Sequence, residues 1–227
     1  MSLNDYWLLS LPFVGAMLGI MFTQFFPLKK TLGLKLILSF SGAFLLGITV
    51  FELFPEIFSK GSKQLSIYVM GGILFQIVLE YFSKGAEHGH YQPNGSNIFP
   101  LTLWLSLSIH AFVEGMPLSN QMELTYGIVI HKIPIGMILY LILGKTNISV
   151  KIKWSALILF SLMTPVGNLL MTYTPYLIEH QLEITAWVMG MILHISTTIL
   201  FESTENHRFN LNKLIAILLA ILLAYLI

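Results

Sequence analysis

The chain has 227 residues, of which 56 % are hydrophobic and 10 % charged, with a net charge of +1 and no cysteine. Soluble domains run at roughly 45–50 % apolar and about 25 % charged residues, so too few charges exist here to coat a water-borne globule, and intrinsic disorder would need the opposite composition. The near-zero charge gives no basic field for nucleic acid, and the missing thiols exclude disulfides, thiolate metal sites and thiol catalysis.

What remains is an all-α polytopic membrane protein, a single transmembrane domain over residues 1–227. Each crossing of a ~30 Å hydrocarbon layer needs ~20 apolar residues, and eight such runs can be read in order. The first, Tyr6–Phe26, is closed by Pro27, Lys29 and Lys30. It is long enough to span and follows no basic segment, so it reads as a span rather than a cleavable signal. The second, Leu34–Phe58, contains Glu52 and Glu56, and the third is Leu65–Phe82. A polar loop, about 83–97, carries Glu87-His88-Gly89-His90. The fourth run is Ile98–Ser119, the fifth Leu124–Leu143, the sixth Ile152–Tyr173, the seventh Ile184–Phe201 and the eighth Leu211–Ile227. A transmembrane β-barrel would need alternating segments of ~10 residues, whereas these runs are continuous.

Lys and Arg set the expected orientation. With both termini outside, the inner side holds Lys29, Lys30, Lys35, Lys84, Lys145, Lys151, Lys153, Arg208 and Lys213, and the outer side only Lys60 and Lys63. The 83–97 loop then faces the cytoplasm, where His88 and His90 are candidate ligands at an inner exit.

Ionisable side chains are costly in mid-bilayer and mark a pathway or site by default. The fourth run reads Ser106-Leu107-Ser108-Ile109-His110-Ala111-Phe112-Val113-Glu114-Gly115-Met116-Pro117. His110 and Glu114, four apart, share a helix face and can grip one divalent cation from two points, with Ser106 a turn further back. Pro117 cannot donate to Val113, so that carbonyl is expected to be freed beside the site. The fifth run carries His131-Lys132-Ile133-Pro134-Ile135-Gly136. A buried Lys132 ammonium needs a counter-charge, and Glu114 is one of few candidates. Glu52 is deep enough in the second run to serve the pathway, Glu56 lies near its boundary, and His194 sits in the middle of the seventh. The bland alternatives are a polar core held by a His110–Glu114 hydrogen bond, a proline kink beside a satisfied His131, and a solvated Glu56.

His110-Ala111-Phe112-Val113-Glu114-Gly115 and His131-Lys132-Ile133-Pro134-Ile135-Gly136 resemble the fourth- and fifth-helix motifs of the ZIP (Zrt-, Irt-like protein) metal transporters, H-x-x-x-E-G and H-[KDE]-x-[PA]-E-G. Glu52-Leu53-Phe54-Pro55-Glu56 resembles that family's second-helix ending, and Thr164-Pro165-Val166-Gly167 its sixth-helix P-x-G. The resemblance implies an eight-helix bundle with extracytoplasmic termini in the cell membrane (plasma or inner), a homodimer, and alternating-access uptake of Zn²⁺, or of Fe²⁺ or Mn²⁺, towards the cytoplasm. It implies a metal site of His110, Glu114 and His131, with Glu52 contributing; the polar residues Lys132, His194, Glu56 and Ser106 within the runs are candidates for the transport pathway. The chain departs from the pattern at Ile135, where the family has a carboxylate, and at Ala111, so one metal is expected rather than two. The metal is cargo; no resident cofactor, no enzymatic activity and no nucleic-acid partner are expected. The rival readings are a membrane-embedded zinc hydrolase, for which no H-E-x-x-H exists, and a metal-binding homologue that does not transport.

Overall fold

The computed structural model describes residues 3–25, 31–60, 63–86, 98–119, 121–202 and 211–227. Among them there is no strand. The helices are α1 (Leu3–Phe25), α2 (Thr31–Ile48), α3 (Phe54–Lys60), α4 (Leu65–Ser83), α5 (Leu101–Gly115), α6 (Met122–Gly144), α7 (Val150–Tyr173), α8 (Pro175–Glu179), α9 (Gln181–Glu202) and α10 (Leu211–Leu226). A π-helical turn, Thr49–Leu53, joins α2 to α3, and a 3₁₀ turn, Met116–Leu118, extends α5.

Among the described residues, seven stretches are long and apolar enough to cross a membrane, with α2 and α3 counting as one. The eighth expected span falls on α10, which is apolar but has 16 residues. At 1.5 Å per residue that is ~24 Å, short of the ~30 Å hydrocarbon layer. Large apolar side chains cover the outer faces, among them Leu18 and Met21 on α1, Ile67 and Leu74 on α4, and Leu218 and Leu222 on α10. Glu114 and Lys132 lie inside. Apolar surface outside and ionisable groups within is the distribution a bilayer imposes.

The helices sort into two groups. In one, α1 packs on α6 and α7, and α5 on α7; in the other, α4 packs on α9, and α2 on α9 and α10. The groups meet chiefly where α2 lies against α6 and α4 against α5. Small residues allow the closest approaches, as in other membrane bundles. A Cβ at Gly115 would overlap the carbonyl oxygen of Thr164, and one at Gly167 that of Phe112. These two glycines therefore set the α5–α7 spacing, on which the site below depends.

Prolines shape the helix ends. Pro55 has no N–H for the Phe51 carbonyl and its ring crowds that oxygen; a widened turn relieves both. A π turn lies immediately before Pro55, with the Phe54 N–H donating to Thr49 O. At the end of α5 the expectation of a free Val113 carbonyl is corrected: the Met116 N–H donates to it as the helix tightens to 3₁₀. The shorter repeat finds the Val113 carbonyl a donor one residue before the proline.

Candidate metal centre

Two helices, α5 and α6, supply a buried cluster near the boundary between the two groups. His110 and Glu114 project from α5 and His131 from α6, and each offers a ligand atom within 4.8 Å of the other two. All three side chains are buried. Their carriers are fixed locally: α5 presents His110 and Glu114 on one face, and the Gly115–Thr164 and Gly167–Phe112 approaches fix how closely α5 lies against α7.

His110 Nε2 lies 3.1 Å from Glu114 Oε2. Among the described residues neither atom has a hydrogen-bond partner, so the two approach without the alignment of a hydrogen bond. Ligand atoms of a tetrahedral zinc lie ~3.3 Å apart when each bond is ~2.0–2.1 Å, and this separation is already close to that. On the far side of the ring, His110 Nδ1 is 2.9 Å from Gln76 Oε1 on α4. With the amide assigned this way Nδ1–H donates to the carbonyl oxygen, and Nε2 is left with its lone pair towards Glu114. The His110 and His131 rings stand edge to face with centroids 6.3 Å apart.

Glu114 serves other partners through Oε1. Lys132 Nζ forms an ion pair with it, and Thr164 Oγ1 lies 3.3 Å away while also donating to the Ala111 carbonyl at 2.8 Å. The Lys132 ammonium also sits over the Phe160 ring, 5.1 Å from its centroid. A positive charge thus occupies one oxygen of the carboxylate, and the other faces His110. Nitrogen and oxygen donors of this kind suit Zn²⁺, Mn²⁺ or Fe²⁺ better than Cu⁺.

The other expected site residues lie elsewhere. Glu52 is exposed and is not brought to the cluster. The buried stripe of its helix runs through Leu45, Thr49, Leu53 and Ile57, and residue 52 falls beside that stripe. Glu56 is half-buried and accepts a 2.6 Å hydrogen bond from Gln121 Nε2. Ser106 is buried, and its hydroxyl donates to Thr102 O on its own helix at 2.9 Å. His194 pairs with Glu80 at 2.7 Å, at an open groove lined also by Ile77, Tyr81, Lys84 and Gly85. His88 and His90 lie outside the described residues.

Gln76 and Glu80 were not singled out from the sequence, although a signal was there: a carboxamide and a carboxylate four residues apart within an apolar run share one face of α4. Together they lead from His110 to His194. Phe160 gave no signal, since an aromatic in an apolar run is ordinary packing until a cation is seen above it. No protein-family model matches the chain, and no curated protein matches it to a significant degree.

Proposed function

We propose that the protein carries divalent metal cations through its membrane towards the cytoplasm, as a ZIP-like carrier with Zn²⁺ as the favoured cargo and Fe²⁺ or Mn²⁺ as alternatives. The observation that carries this reading is the meeting of His110, Glu114 and His131 within 4.8 Å inside an apolar helical bundle. In the proposed cycle an ion sheds water, is held by these ligands, and is released when one helix group shifts against the other. Gln76, Glu80 and His194 form a polar track from the cluster towards the end of α4, which fits the inner exit expected from the lysine distribution.

A second reading, a metal-binding homologue that does not transport, is favoured by one specific observation: the Lys132 ammonium already rests on Glu114. Proteoliposome flux with Zn²⁺, Mn²⁺, Fe²⁺ and Cd²⁺ separates the two. The carrier reading expects saturable flux that is abolished by His110→Ala and by Glu114→Ala. Binding without flux supports the second reading, and wild-type flux from either variant removes the site from both.

A further inference from the structure

The hydrogen bond that orients His110 comes from the other half of the bundle. His110 is on α5, packed with α7 in one helix group; Gln76 is on α4, packed with α9 in the other. Gln76 is fully buried, on a face of α4 whose other buried residues include Val69, Gly72 and Leu79. A carboxamide in such surroundings is costly unless it is bonded. Its Nε2 has no hydrogen-bond partner among the described residues, so packing and its own satisfaction do not account for it. What the side chain does is hold Nδ1 of His110, at 2.9 Å.

We infer, resting on the metal-site reading above, that Gln76 is a positioning residue for the metal, fixing His110 in the tautomer that offers Nε2 and doing so only while α4 lies against α5. Accepting Nδ1–H restrains the ring and makes Nε2 the better donor. The restraint crosses the boundary between the two helix groups, so sliding one group along the other removes it. The ion is then held by an imidazole free to turn, and its release becomes easier in the displaced arrangement. Gln76 thereby links the strength of the site to the packing of the bundle.

The test is an equilibrium titration of the full-length protein, purified in detergent, with Co²⁺ read by its visible absorption and displaced by Zn²⁺. Gln76→Leu removes the acceptor at nearly constant volume and is expected to weaken binding ~10–100-fold, as loss of an outer hydrogen-bond partner does. Gln76→Met is a second acceptor-free variant, with the same expected loss. Gln76→Glu keeps an acceptor at the same reach and is expected to bind at least as tightly as wild type. A merely structural glutamine would give the reverse order, because leucine suits the apolar surroundings and an added buried charge does not. In proteoliposomes Gln76→Leu is expected to raise KM by the same factor without lowering Vmax. Unchanged affinity in both acceptor-free variants, weaker binding by Gln76→Glu than by Gln76→Leu, or a fall in Vmax at constant KM overturns the inference alone. A wild-type protein that binds neither metal overturns the metal-site reading and this inference with it.

Discussion

Glu114 has more claimants than oxygens. Lys132 and Thr164 approach Oε1, and Oε2 faces His110 Nε2. Removing this carboxylate leaves the Lys132 ammonium buried without its counter-charge, a change that typically costs about 3–5 kcal/mol. Glu114→Gln is therefore expected to lower the melting temperature in detergent as well as abolish metal binding. The double variant Glu114→Gln/Lys132→Met should recover the melting temperature and leave binding absent, which separates the two effects. Lys132→Met alone should tighten Zn²⁺ binding by at least ~10-fold, since unit charges ~4 Å apart at an effective dielectric of ~20 interact by ~4 kcal/mol before relaxation; unchanged affinity in a competition titration would show that the ammonium already swings away, with Phe160 as its seat. Ile135 is buried one turn beyond His131. Ile135→Glu would place a carboxylate beside the cluster, and metal analysis per chain should rise above the wild-type value.

At the scale of elements, the site is only as exact as the spacing of the helices that carry it. The α5–α7 approach leaves no room for a Cβ at Gly115 or Gly167, because a backbone carbonyl stands in each place. Backbone cannot yield as a flexible side chain can, so Gly115→Ala or Gly167→Ala must push the helices apart. Each is expected to lower stability by about 1–3 kcal/mol, the usual range for overpacking, and to weaken metal binding, since Glu114 and Thr164 move apart together. A control Gly33→Ala, where an added Cβ meets nothing within 4 Å, should neither lower stability nor weaken metal binding. Within the π turn Glu52 is exposed, while Glu56 just after it accepts from Gln121, so two carboxylates four residues apart have different surroundings.

For the whole molecule, apolar side chains on the outside and ionisable ones within argue for residence in a bilayer. The protein is expected to stay with the membrane fraction through alkaline carbonate extraction and to need detergent for release; recovery in the aqueous supernatant would contradict this. Metal uptake should fall as the medium is acidified, because neutral imidazole and ionised carboxylate are the binding forms and protons compete for both. Flux measured at fixed free Zn²⁺ across a pH series checks this, and flux that rises on acidification would point to another ligand set.

Composition and run length were enough to establish an all-helical membrane bundle, because twenty apolar residues in succession have few other stable fates. The i, i+4 pairing of His110 and Glu114 was equally legible, since a helix puts those positions on one face whatever surrounds it. Tertiary structure decided the rest. Whether His131 lies beside them, which oxygen Lys132 takes and what orients His110 depend on how α4, α5 and α6 lie against one another, and neither a span's length nor its apolar character encodes a rotation about its own axis. Glu52 shows the limit most plainly: its place in an apolar run gave no sign that it would lie exposed in a π turn, away from the cluster.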